Sequence, residues 1–208
     1  DVVRVASRWA PQPPALWMTL LALLRGSICI YQGEELGLPE ADVPFEKLQD
    51  PYGKTFWPEF KGRDGCRTPM PWCADAAYGG FSDVEPWLPM DQGHLPLAVD
   101  SQQRQSDSML HFCKRLFQWR RANTEFLVGK MRWIGVTEPL LGLVREQSGK
   151  PPLLALFNLS DLPQSVALIE AGMQAMADSP VPAAYCGYVE NDTAFLPPYG
   201  ILLSTVHV

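Results

Sequence analysis

The residues able to do chemistry are few and grouped. Asp1 stands just ahead of Arg4. Glu34 and Glu35 are adjacent and follow an apolar run, Ser27-Ile28-Cys29-Ile30-Tyr31, that stops at Gln32-Gly33. Arg63-Asp64 and Arg67 sit together in KGRDGCRTPMPW. Carboxylates and guanidiniums bond hydroxyl groups in pairs, and aromatic rings lie against sugar CH faces. The same residues also make ordinary surface ion pairs. Charges at the end of a buried strand are therefore either a solvated boundary or the wall of a site. Other chemistries lack their signatures: there is no G-x-S-x-G elbow, phosphate loop, dinucleotide fingerprint or H-E-x-x-H.

These residues need elements to hold them. Pro13-Pro14 followed by ALWMTLLALLRG predicts a helix that starts at proline and stops at Gly26. It is apolar nearly all round, which predicts burial. Ser27 to Tyr31 then reads as a short strand buried on both faces. Residues 38 to 105 are rich in proline and glycine yet carry many aromatics, among them Phe56, Trp57 and Trp72. This argues for an ordered, functional excursion. A second helix is expected over Ser106 to Ala122, capped by Ser106, with Met109, Phe112, Cys113 and Leu116 on one face. Beyond Glu125 come short apolar runs: Met131 to Val136, Leu140 to Val144, Leu153 to Leu159, Ser165 to Ile169, Ala183 to Val189 and Ile201 to Val206. Turn residues separate them, the pattern of a small antiparallel β domain.

The totals narrow the partners. Of 208 residues, 47% are hydrophobic, enough for a packed core. The net charge is -6 and no basic stripe occurs, which disfavours nucleic acid. The longest apolar run, Ala15 to Leu24, is ten residues, too short to cross a bilayer, so no membrane partner is expected. The cysteines (29, 66, 73, 113 and 186) are odd in number and form no C-x-x-C, and the histidines lie far apart. That is neither a zinc site nor a disulfide framework, so no metal or cofactor is expected and a reduced, cytoplasmic setting fits. Asn158-Leu159-Ser160 and Asn191-Asp192-Thr193 are glycosylation sequons that matter only in a secreted protein. The chain opens in mid-pattern without Met, which reads as the tail of a longer protein.

The order DVVRVASRW, helix, RGSICIYQGEELGL, KGRDGCRTPMPW, helix, β domain resembles the α-amylase superfamily, glycoside hydrolase family 13. Within it the likeness is to exo-acting α-glucosidases: oligo-1,6-glucosidases, glucosyl-transferring enzymes and sucrose-isomerising relatives. The resemblance implies a fold of α/β plus all-β type. Residues 1–126 would be the C-terminal portion of a (β/α)8 TIM barrel, with 38–105 as a long active-site loop. Residues 127–208 would be a β-sandwich-like antiparallel domain. Gln32 to Gly37 becomes the loop after strand eight, on the catalytic face.

Roles follow from the same resemblance. Asp1 and Arg4 match the Asp and Arg of the family's Asn-His-Asp strand end, with Asn-His expected just upstream. Asp1 is then the transition-state stabiliser beside a nucleophile and an acid/base supplied by the N-terminal half of the barrel. Arg63, Glu34 and Arg4 are the substrate-binding candidates, and the substrate is an oligosaccharide with a terminal α-linked glucose. Arg63 equally fits a loop-anchoring ion pair. Glu35, Asp64 and Arg67 read as structural, Trp72 as packed, and Phe56 with Trp57 as an acceptor wall or a plug. By itself the fragment is expected to be inactive. Two alternatives stand: a sucrose or maltose isomerase, and a non-catalytic interaction module like the heavy chains of amino-acid transporters.

Overall fold

A computed structural model describes residues 2–168 and 173–206. Asp1 lies outside the described residues, as does Ile169. The helices are α1 (Val5–Arg8), α2 (Pro14–Leu23), α3 (Pro51–Thr55), α4 (Val99–Gln103), α5 (Met109–Ala122) and α6 (Glu125–Val128). The strands are β1 (Lys130–Ile134), β2 (Leu140–Glu146), β3 (Leu153–Asn158), β4 (Gln164–Ala167), β5 (Met173–Ala175), β6 (Tyr188–Glu190), β7 (Thr193–Leu196) and β8 (Ile201–Val206). They fall into two compact units. One holds residues up to Pro14 and Cys29–His111; the other holds Ala15–Ile28 and Phe112 onward.

The first unit is built from short helices and 3-10 turns around small apolar clusters. Leu36, Leu38 and Met70 form one cluster; Val43, Leu48 and Leu88 form another, with Trp57 packed against it. Trp57 is thus a plug. The excursion over 38–105 is ordered by these plugs and by buried polar anchors. Gln102, for example, donates from Nε2 to the carbonyls of Leu36 (2.8 Å) and Leu97 (3.0 Å). Its Oε1 accepts from the amide of Leu110.

In the second unit β1-β2-β3-β8-β5 form one antiparallel sheet and β4-β7-β6 another. Leu140, Val144, Leu154, Leu156 and Leu202 of the larger sheet meet Ala194 and Leu196 of the smaller. This is the core of a sandwich. Strand β3, LLALFN, is buried at every position, which explains its unbroken apolar run. Helix α2 buries Ala15, Leu16, Met18, Thr19, Ala22 and Leu23, and the chain turns at Gly26, φ +91°.

Four expectations need correction. Ser27 to Tyr31 is not a buried strand: it runs without a ladder partner among the described residues, and Cys29 is exposed. Apolar composition cannot make a strand where no neighbour offers its hydrogen bonds. Helix α5 starts at Met109, not Ser106; Ser108 Oγ and Gln102 Oε1 receive its first amides. Trp72 is about half exposed rather than packed. The expected strand over Ala183 to Val189 is a 3-10 turn, Ala183–Tyr185, followed by β6. The sequence reading also passed over β5 and β7, each under five residues.

Candidate active site

Segment 31–40 is bent by two glycines. Gly33 and Gly37 both have positive φ (+88° and +68°) and bracket a 3-10 turn, Glu34–Leu36. A Cβ on Gly33 would stand 2.7 Å from Leu38 Cδ1 and 3.0 Å from Arg4 Nε, so only glycine fits. The two acids fold back onto this turn. Glu35 accepts the amide of Gly33 at 2.8 Å, and Glu34 accepts that of Tyr31 at 3.3 Å.

Arg4, 2% exposed, lies under the turn. Its Nε donates to the carbonyl of Gln32 (2.9 Å), Nη1 to Pro39 (3.1 Å) and Nη2 to Cys66 (2.9 Å). Three stretches distant in sequence thus share one guanidinium. Burial lowers its pKa, with Cys66, Glu40, Tyr31 and Glu34 opposing.

Arg63 stands at the far side of the next turn, Asp64–Cys66. The Cys66 amide and thiol both donate to the Arg63 carbonyl (3.2 and 3.0 Å), and Cys66 is the residue whose carbonyl Arg4 holds. The structure therefore links Arg4, Glu34 and Arg63 through two adjoining turns. Arg63 forms a two-point pair with Asp50: Nε to Oδ2 at 2.9 Å and Nη2 to Oδ1 at 3.0 Å. The Arg63 amide also donates to Oδ2, and the Tyr52 amide to Oδ1 as an N-cap of α3. Led by the Arg63 hydrogen bonds, these donors hold the Asp50 carboxyl well below the usual carboxylate range.

Behind Asp50 sits Asp64, fully buried, whose Oδ2 accepts the amides of Gln49 (2.6 Å) and Asp50 (2.7 Å). Its other oxygen lies 3.7 Å from Arg67 Nη1. On the outer side, the Arg63 guanidinium lies over the Tyr52 ring at 5.8 Å, and Tyr52 stacks on Phe56. Asp50 escaped the sequence reading, though Asp50-Pro51 is an N-cap followed by proline at the first helical position.

His94 also escaped it. The ring is fully buried, and its Nε2 lies 3.0 Å from the Pro39 carbonyl that Arg4 also bonds. A carbonyl only accepts, so Nε2 carries the proton. Burial lowers the imidazole pKa, Asp91 and the Pro39 contact oppose, and Arg4 lowers it further. A base with a lowered folded pKa destabilises the folded chain once the unfolded one takes up its proton. Stability is thus expected to fall as pH drops below about 6.5. His94→Gln should flatten that slope when urea midpoints at about pH 7.5 and 5.5 are compared; an unchanged slope would contradict it.

Among the described residues no group of three His, Cys, Asp or Glu is placed to hold a metal. No helix among them is long and apolar enough to cross a membrane. What the arrangement offers is a fixed guanidinium beside aromatic faces, suited to hydroxyl-rich ligands.

Residues 1–129 match the family model for the α-amylase catalytic domain. The chain belongs to the α-amylase family. It is 47% identical over 167 residues to a probable α-glucosidase of Rhizobium meliloti (strain 1021), covering 77% of this chain and 30% of that protein. It is 27% identical over 186 residues to an oligo-1,6-glucosidase of Heyndrickxia coagulans, covering 77% of this chain and 33% of that one. The crystal structure of the α-glucosyl transfer enzyme XgtA superposes on the whole chain with a TM-score of 0.91 at 40% identity, using 39% of its own length. The trehalulose synthase MutB shares the fold at 21% identity, with a TM-score of 0.78. The chain spans about a third of the length of the curated relatives it matches.

Proposed function

We propose that the parent of this chain is a retaining, exo-acting α-glucosidase that passes a terminal α-linked glucose to water or to an acceptor hydroxyl. The observation that carries the reading is the pairing of Arg63, which opens the RDxxRTPM motif of this α-amylase-family chain, with Asp50 thirteen positions upstream. A guanidinium fixed beside exposed aromatics grips uncharged sugar hydroxyls and closes the site beyond one glucose. Arg4 acts from beneath by holding the loop carbonyls, and Glu34 lines the site.

Residues 1–126 form the barrel part and 127–208 the β domain. Asp1 supplies the carboxylate that accepts the sugar 2- and 3-hydroxyls and faces the positive charge of an oxocarbenium-like transition state. The nucleophile and acid/base belong to the barrel half outside these 208 residues, so this chain alone releases no glucose. Among the described residues no disulfide joins the five cysteines, and a cytoplasmic setting is part of this proposal. The 40% identity to an α-glucosyl transfer enzyme favours transfer as a second outcome of the same chemistry.

The parent is expected to release glucose from maltose, isomaltose or sucrose, appearing first as the α-anomer by NMR. No release from any of the three would favour the interaction-module alternative instead. Conversion of sucrose or maltose to an isomer without net glucose would favour the isomerase.

A further inference from the structure

We infer that Asp50 is a positioning residue of the substrate site, acting through Arg63, and that Asp64 is its internal support. The inference rests on the reading that Arg63 touches substrate, and goes beyond it to what sets the guanidinium's place.

The geometry is that of a clamp. The Asp50 side chain is fully buried, while that of Arg63 is 40% exposed, so one end of the pair is fixed and the other is reachable. Both carboxylate oxygens meet the Nε–Nη2 edge, the arrangement that fixes the plane of a guanidinium as well as its distance. Asp50 cannot swing away, because the amides of Tyr52 and Arg63 hold the same two oxygens. Nor can its backbone drift, because Asp64 Oδ2 takes the amides of Gln49 and Asp50.

Gly53 and Gly62 let the two backbones touch. A Cβ on Gly62 would stand 2.8 Å from Gly53 Cα and 3.0 Å from Asp50 Oδ2. Such close packing brings Asp50 and Arg63 within bonding reach across thirteen positions of sequence.

The charge sum has a consequence for the ligand. Arg63 with Asp50 carries no net charge, so the pair does not favour anions. Tyr52, beneath the guanidinium and stacked on Phe56, adds an apolar face to the same place.

The test is a double-variant cycle in the parent enzyme with p-nitrophenyl α-glucoside as substrate. Asparagine keeps the size and the N-cap of Asp50 but turns one oxygen into a donor that faces Arg63. Asp50→Asn is expected to lower kcat/KM by about 100-fold, the scale of a misplaced binding group. It should also weaken inhibition by free glucose, a readout that a loss of folded protein would leave unchanged. Arg63→Met should give a similar loss, and the two changes together no more than Arg63→Met alone. Losses that multiply would overturn the inference while leaving Arg63 as a substrate contact. Wild-type kcat/KM in Arg63→Met would overturn both. If Asp50→Asn does not fold, Arg63→Lys decides, since lysine keeps the charge and loses the two-point fork. A loss of tenfold or more supports the inference, and wild-type kcat/KM contradicts it.

Discussion

Arg145→Ala is expected to destabilise the second unit by about 4 kcal/mol, lowering its urea midpoint by about 1.5 to 2 M. Arg145 is completely buried, and its partners are main-chain carbonyls. Nη1 donates to Leu23 (2.7 Å), at the end of α2. Nη2 donates to Glu125, Phe126 and Gly129 (2.8, 3.0 and 3.0 Å), around α6, and Nε to Lys130 (3.3 Å). Arg120 does the same nearby, bonding Ala22, Phe126 and Gly26.

Helix ends leave carbonyls without partners, and these two guanidiniums supply the missing donors. Burial lowers the pKa of Arg145, with Arg120 and Arg25 adding to the effect and Glu125 opposing. The charge is thus costly to bury, but removing it takes a donor from five carbonyls, of which Glu125 keeps the Gly129 amide and Phe126 keeps Arg120, and leaves a cavity as well. Arg145→Met separates the two causes. It should cost nearly as much as alanine if the bonds matter, and little if only volume does. A loss below about 1 kcal/mol in Arg145→Ala would contradict this account.

Arg145 also shows what the sequence could not say. A charged residue in GLVRE reads as the polar face of a strand, and nothing local marks it as the hub of five carbonyls. The β domain was legible wherever alternation or a long apolar run declared itself, as in β2, β3 and β8. It was not legible at β5 and β7, whose three and four residues are defined by pairing.

The β6–β7 hairpin did carry a signal. Asn191 and Asp192 both adopt positive φ (48° and 55°), as a two-residue hairpin turn requires. As a sequence, Asn191-Asp192-Thr193 registered only as a glycosylation motif. In the site, Arg63 was visible through its motif, but Asp50 lies thirteen positions away, across a loop whose path depends on buried plugs. Ser27 to Tyr31 failed for the opposite reason: strand composition is local, while ladder partners are not.

In sequence, Asp1 precedes by three positions the best-anchored side chain of the site. Arg4 is nearly inaccessible and holds three loop carbonyls, so the segment that bears Asp1 is tied at that point to the turns carrying Glu34 and Arg63. The proposed role is electrostatic, a negative charge set where positive charge develops. Asparagine keeps the shape and one acceptor but removes that charge. Asp1→Asn in the parent enzyme is therefore expected to lower kcat by about 1,000-fold, with folding and thermal midpoint unchanged. The most direct measurement is kcat and KM of parent and variant on p-nitrophenyl α-glucoside, side by side. A loss of that size, carried mainly in kcat, is the expected result. A variant within tenfold of the parent, or a parent with no turnover to lose, would contradict it.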